Sequence, residues 1–311
     1  MINSDNLHGV LNTDIKTPIP ASTISKIISL PPFITISGVS NFRDLSYENS
    51  LRPGYVYRSA NLSDVTEDGK AMLAGELGIT TIFDLRNEGE RVKAPAPQIQ
   101  GVDTIWMPYG TRPASLNLRD FAGEDNGANG FVKMYLGILD ACAPAFAQVF
   151  KHIRDQPDDP FVFHCSGKST IPQLSLLFAV ACCISLDWTI ADQFHLILTA
   201  GKDRTGVLAA LILLLMGRPQ HEIINDYILT RAGLENVREN LIQTLALSEG
   251  TDHLSPEAIG MLELSGVRAQ AMAAFLKTFH STYGSGAEGY LTTKLGFSHE
   301  DVKLMYKNLA A

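Results

Sequence analysis

Two separated fragments constrain this chain more than any other feature. The first, Phe161-Val162-Phe163-His164-Cys165-Ser166, is an apolar run that ends in a cysteine. The second, Ala200-Gly201-Lys202-Asp203-Arg204-Thr205-Gly206, is a turn that leads directly into the apolar stretch 207–216. With 167–199 set aside they join as His-Cys-Ser-Ala-Gly-Lys-Asp-Arg-Thr-Gly between a strand and a helix, and five residues then separate Cys165 from Arg204. A loop at a helix N-terminus points backbone N–H groups and the helix dipole at an anion, and the same field favours a thiolate over a thiol. Gly201 lets the backbone curl around the anion, Arg204 can hold two of its oxygens with a planar fork, and Lys202 adds charge. Thr205, at the helix start, can hydrogen-bond the thiolate. The layout is that of a phosphate-binding loop with a cysteine nucleophile.

The remainder of the chain predicts an α/β fold with a central, mostly parallel sheet flanked by helices and a helical C-terminal part from about residue 220. Strands are expected at 33–36, 55–60, 79–85, 102–107 and 160–164, and a helix over 66–77 that stops at Gly78. Residues 110–130 form a long polar loop, of a length that usually signals function or mobility. Helices are expected over 131–153, 205–216, 221–230, 234–246, 256–261 and 267–283, with two more in 287–309 broken at Gly296. Residues 1–32 carry Ser, Thr, Asn and Pro without apolar periodicity and are expected to be a flexible leader.

Composition narrows the function classes. A chain of 311 residues can hold one large domain or two small ones, and 45% hydrophobic with 19% charged residues describes an ordinary globular protein. The net charge of −8 argues against a nucleic-acid or anionic-membrane binder, so any phosphate site must be local. Four cysteines, at 142, 165, 182 and 183, suit neither a disulfide framework nor a zinc site, and a reduced cytoplasmic setting is expected. No secretory signal is evident, and the apolar stretch 174–186 is too short to span a bilayer. Neither a metal nor another cofactor is expected.

The joined fragments have the Cys-x5-Arg spacing of the Cys-dependent tyrosine/dual-specificity phosphatase superfamily. More narrowly, the chain resembles the bacterial and fungal branch with the signature His-Cys-x-x-Gly-Lys-Asp-Arg-Thr-Gly. Further motifs carry the resemblance in the same order: Ser40-Asn41-Phe42-Arg43-Asp44-Leu45, Arg52-Pro53-Gly54, Tyr57-Arg58-Ser59-Ala60, Phe83-Asp84-Leu85-Arg86 with Glu88 and Glu90, Asp226-Tyr227, Tyr283-Gly284 and Tyr290-Leu291. It covers 33–309 apart from 167–199 and implies one phosphatase-like domain over 33–311, interrupted there. It also implies that Cys165 forms a phosphocysteine, that Arg204 stabilises the transferring phosphoryl group, and that Ser166, Ala200, Gly201, Lys202, Asp203, Arg204 and Thr205 wrap the phosphate. Asp84 and Asp203 are the two candidates for the general acid, Asp84 being favoured for its position at a strand's carboxyl end. His164 is expected to orient the loop, and Arg58 and Asp44 to support it. Arg86 is expected either to serve the site or to pair with Glu90. Cys142, Cys182 and Cys183 are expected to be inert fillers. Phosphorylated proteins are the implied substrates, and Lys202 with Asp203 is associated in this branch with phosphoinositides too.

Residues 167–199 interrupt a loop whose five residues must all wrap one phosphate. The segment begins Gly167-Lys168-Ser169, which can be encoded with GTAAGT, a splice donor; it ends at Thr199-Ala200, which can be encoded across a CAG acceptor. Removal between those points restores the frame and keeps an alanine codon, so the segment has the form of a translated intron. The competing readings of the segment are a regulatory insertion or a hydrophobic anchor built on 174–184, and the alternative for function is a catalytically inactive phosphatase-like binding module in which the insertion holds the two halves of the loop apart.

Overall fold

In the computed structural model, residues 4–46, 51–107, 117–123, 125–166, 201–248 and 255–311 are described. Five strands, β1 (Arg43–Asp44), β2 (Val56–Ser59), β3 (Thr81–Asp84), β4 (Asp103–Trp106) and β5 (Phe161–His164), form one sheet in the order β1-β2-β5-β3-β4. β1 is antiparallel to β2 and every other pairing is parallel. β2, β3 and β5 are buried at all four positions, so none shows the polar alternation of a strand with one face in water, and their polar residues, among them Arg58, Ser59 and Asp84, are enclosed. Successive residues still face opposite layers. Val162, Ile82 and Tyr57 pack with Leu73 and Ile79 on one side, whereas Phe161, Phe163 and Phe83 meet the apolar helix Asp203–Leu215 and its neighbours on the other.

Register decides where the chemistry sits. Ser59, His164 and Asp84 lie side by side across three strands, and Trp106 is level with Asp84, so the parallel strands end flush. β5 is in the middle, and Cys165 therefore leaves the sheet at its centre, with the ends of β2 and β3 on either side. Ligands in open parallel sheets bind at such carboxyl ends.

Several expected elements take a different form. Residues 33–36 make only isolated bridges, Phe33 with Arg43 and Ile36 with Val39. The helix expected over 131–153 is two, Ala128–Ala141 and Ala143–Asp155, broken at Cys142; Pro144 fits the first turn of the second, where its missing N–H costs nothing. The two helices expected over 221–246 are one, Gln220–Ser248. Gly233 is not a breaker there but a point of close approach: a Cβ would sit 2.6 Å from Asn41 Oδ1.

The flexible leader expected over 1–32 also takes a different form. Helices Ser4–Leu11 and Ala21–Ile28 dock on the C-terminal helices, with Leu11, Ile15, Ile19 and Ile27 buried. The polar contacts that hold them are long-range: Asp14 pairs with Arg268 at 2.6 Å, Arg231 donates to Thr17 O at 3.0 Å, and the Ala269 N–H donates to Asn12 Oδ1 at 2.9 Å. Tertiary burial thus orders a segment whose local composition favours disorder. Among the described residues no single helix is long and apolar enough to cross a membrane. Residues 167–199, including the stretch 174–186 and Cys182 and Cys183, lie outside the described residues.

Candidate active site

The two fragments meet. The Gly201 N–H donates to the Ser166 carbonyl at 3.0 Å, which brings the end of β5 to the start of helix Asp203–Leu215. Separation of the two halves, on which an inactive form would rest, is therefore not the observed arrangement on either side of 167–199. Gly201 has φ +68, and a Cβ there would lie 2.1 Å from Ser59 O, so only glycine can bring the turn this close to β2. Ala200 lies outside the described residues.

Helix Asp203–Leu215 is buried from Asp203 through Leu213 and apolar beyond its first turn, as a helix enclosed on all sides must be. Its N-terminus faces the carboxyl end of β5. Cys165 is fully buried there, with Sγ 3.9 Å from Ser166 O. Thr205 is fully buried in the first turn, and its Oγ1 meets no hydrogen-bond partner among the described residues.

Arg204 is oriented by Glu90, which the sequence offered only as a partner for Arg86. Its Nη1 and Nη2 donate to the two carboxylate oxygens of Glu90 at 2.6 and 2.7 Å, and Nη2 also reaches Ser166 Oγ at 3.0 Å. Glu90 sits at the third position of helix Glu88–Lys93, capped by Asn87, and its carboxylate accepts from the Asn87 N–H at 2.8 Å and from the Ser166 hydroxyl. The Asn87-x-x-Glu90 spacing of a capping box was legible in the sequence. Burial pushes the Glu90 carboxyl up, but the Arg204 charge and these hydrogen bonds reverse that and hold it at about 2.

A depressed carboxyl of this kind stabilises the fold above its unfolded value of about 4.5, and the contribution is lost as pH falls through about 2. Glu90→Gln is expected to lower stability by roughly 3 kcal/mol at neutral pH, the difference shrinking toward pH ~2. Urea unfolding of both proteins across that range measures it.

Below the loop lies a buried ionic brace. Asp226 receives Arg43 Nε at 2.8 Å and Arg58 Nη1, and Arg58 Nη2 donates to the Gly201 carbonyl at 2.8 Å. Burial would raise the Asp226 carboxyl, but the two guanidinium groups lower it below the usual carboxylate range. Arg58 thus acts on the loop through the backbone of Gly201. Asp44 has a local structural task, accepting from the N–H groups of Ser46 and Gly54, both at 2.8 Å.

Two expected site residues are turned to other work. Lys202 is fully buried, and its ammonium donates to the carbonyls of Leu264 at 2.5 Å and Gly266 at 2.9 Å. It satisfies carbonyls left unpaired at the end of helix Pro256–Ser265 instead of lining the phosphate cup, because a buried ammonium needs acceptors and a helix C-terminus offers them. Asp84, the favoured acid, is held by Arg86 at 2.8 Å through Oδ1 and 2.7 Å through Oδ2, and Arg91 lies 3.0 Å away. Burial raises its carboxyl, yet the charge of the neighbouring His164 and the charge and hydrogen bonds of Arg86 lower it overall, the wrong direction for an acid that must carry a proton. Arg86 pairs with Asp84 and also donates to Asn61 Oδ1 at 2.9 Å and Ala94 O at 2.6 Å, so it ties loops together and does not pair with Glu90.

His164 is fully buried, with Nδ1 3.1 Å from the Cys165 carbonyl; burial, with Arg86 and Arg204 nearby, lowers its pKa despite Asp84. Asp203 differs from Asp84 in having no guanidinium partner among the described residues: Oδ1 accepts from the Tyr135 hydroxyl at 2.8 Å and lies 3.5 Å from Lys202 Nζ. Among the described residues no His, Cys, Asp or Glu cluster could hold a metal.

A profile of the tyrosine phosphatase family matches residues 34–168 and 194–311, most of the chain, and the gap between the two stretches falls inside 167–199. The chain is 27% identical over 271 residues to the triple specificity protein phosphatase PtpB of Mycobacterium tuberculosis, spanning 82% of this chain and 91% of that protein. It is 29% identical over 256 residues to a tyrosine-protein phosphatase of Nostoc commune, spanning 79% of this chain and 71% of that one. With the sheet, the meeting of the two fragments and these matches in agreement, the chain belongs to the tyrosine phosphatase family of Cys-dependent phosphatases.

Proposed function

We propose that the protein hydrolyses phosphate monoesters through a phosphocysteine on Cys165. The single observation that carries this reading is the contact of Gly201 N–H with Ser166 O, because it brings together two fragments 34 positions apart in the chain. In the first step the Cys165 thiolate attacks phosphorus, the bond to the leaving oxygen breaks, and Asp203 protonates that oxygen. Arg204 and the loop N–H groups hold the equatorial oxygens as charge spreads over them. In the second step Asp203 takes a proton from water, the water oxygen attacks phosphorus, and the thiolate leaves toward the Thr205 hydroxyl. Asp203 is preferred to Asp84 because its Oδ1 takes a tyrosine hydroxyl and lies 3.5 Å from one ammonium, whereas both oxygens of Asp84 are gripped by Arg86.

The substrates are phosphorylated proteins bearing phosphotyrosine and phosphoserine or phosphothreonine, with phosphoinositides as a second class. The breadth finds support in a relative whose name carries triple specificity. Residues 167–199 are a translated intron, a reading supported by the family match resuming at 194 after breaking at 168. Acid quenching during turnover of a phosphorus-labelled aryl phosphate, followed by peptide mapping, tests the mechanism. Label on the peptide containing Cys165 is the expected result; label elsewhere, or none during steady turnover, would refute the covalent route.

A further inference from the structure

We propose that Tyr135 is a positioning residue for Asp203, and that Tyr227 sets the direction of its hydroxyl. The proposal rests on the assignment of Asp203 as the acid. Tyr135, on helix Ala128–Ala141, is fully buried, and its Oη lies 2.8 Å from Asp203 Oδ1 and 2.8 Å from the Oη of Tyr227, on helix Gln220–Ser248. Three helices therefore converge on one carboxylate through two hydroxyls.

The direction of the protons follows from the groups present. An ionised carboxylate only accepts, so the single Tyr135 proton goes to Asp203 Oδ1, and Tyr227 must donate its own to Tyr135. Burial, with the charge of Asp203 beside it, keeps the Tyr135 hydroxyl protonated at any working pH. The rings leave little alternative: Phe131 and Phe275 flank Tyr135 at 5.6 and 5.5 Å between centroids, and neither offers a polar atom.

The consequence lies in which oxygen of Asp203 carries the transferable proton. Oδ1 is covered by the Tyr135 donor, with the Lys202 ammonium 3.5 Å away, so the proton of the acid form resides on Oδ2. When the bond from phosphorus to the leaving oxygen breaks, the electron pair goes to that oxygen and the Oδ2 proton follows. Without the Tyr135 hydroxyl the proton can occupy either oxygen and the carboxyl is free to turn. The loss falls on proton donation and leaves phosphate binding intact.

The Asp226-Tyr227 dipeptide gains a meaning from this arrangement. Asp226 holds Arg58, which holds the Gly201 carbonyl; Tyr227 holds Tyr135, which holds Asp203. One turn of one helix thus braces the phosphate loop and the acid together.

Leaving-group dependence separates a positioning role from a structural one. On the full chain, kcat and KM are measured for an alkyl phosphate, whose leaving oxygen needs a proton, and for p-nitrophenyl phosphate, whose leaving group does not. Asp203→Asn is expected to lower kcat for the alkyl ester by about a hundredfold or more and for the nitrophenyl ester far less. Tyr135→Phe is expected to show the same pattern at roughly tenfold, with KM unchanged for both esters. Equal losses on the two esters for Tyr135→Phe, with Asp203→Asn still selective, would overturn the proposal and leave the acid in place. Equal losses for Asp203→Asn would remove the acid assignment itself. Should Tyr135→Phe fold poorly, Tyr227→Phe breaks the same relay one step back and is read in the same way.

Discussion

Cys165→Ser is expected to lower turnover of an aryl phosphate by on the order of 10⁵–10⁶, leaving the fold and phosphate affinity near their original values. The substitution removes one sulfur from a fully buried position at the centre of the sheet and adds nothing larger. What it takes away is the ease of ionisation: a serine hydroxyl at the same helix N-terminus stays protonated at neutral pH, and burial lowers the pKa of the neighbouring His164 and so weakens it as a base. Single-turnover kinetics, with a thermal melt as control, measure the effect. A loss of less than about tenfold would mean that the attacking atom lies elsewhere.

The second large effect concerns Arg204. Arg204→Lys retains the charge but is expected to cost 10³–10⁵ in kcat/KM, a range like that for other guanidinium groups that neutralise a transferring phosphoryl group. The reason is geometric. The guanidinium is fixed by Glu90 through both η nitrogens and by Ser166 Oγ, and a single ammonium cannot make that bidentate pair and still face the loop. Steady-state kinetics with an aryl phosphate measure the loss. A variant within tenfold of the native rate would show that charge alone, without the fork, is enough.

Much of the fold was legible in the chain because the strands that matter are short apolar runs ending in chemistry. The runs around Val56–Ser59, Thr81–Asp84 and Phe161–His164 were each evident, and their flush ends follow from parallel pairing. The nucleophile loop was legible in spite of its interruption because its residue types have few other uses in that order. Less legible was how each polar side chain spends its hydrogen bonds. Asp84 and Asp203 look alike as acids in sequence; their difference lies in Arg86, two residues from one carboxylate, and Tyr135, 68 residues from the other. Lys202 looks like a phosphate ligand until the carbonyls of Leu264 and Gly266 are placed beside it.

The N-terminal segment illustrates the converse. Ser, Thr and Pro obscured the four-residue spacing of Leu11, Ile15 and Ile19, whose burial depends on helices more than 200 residues later. Glu90 was the most recoverable of the omissions, since the capping box that seats it is a local pattern. Tyr135 had no local signal, because its partners come from two distant helices.

The central claim is that Cys165-Ser166 and the segment from Ala200 to Arg204 are one phosphate-binding loop, with 167–199 no part of it. The most direct measurement is aryl phosphate hydrolysis by three proteins side by side: the full chain, the chain with Ser166 joined to Ala200, and that shortened chain carrying Cys165→Ser. The account predicts that the shortened chain is active, exceeds the full chain, and loses its activity with Cys165. Activity of the shortened chain that survives Cys165→Ser, or a folded shortened chain with no activity, would contradict it.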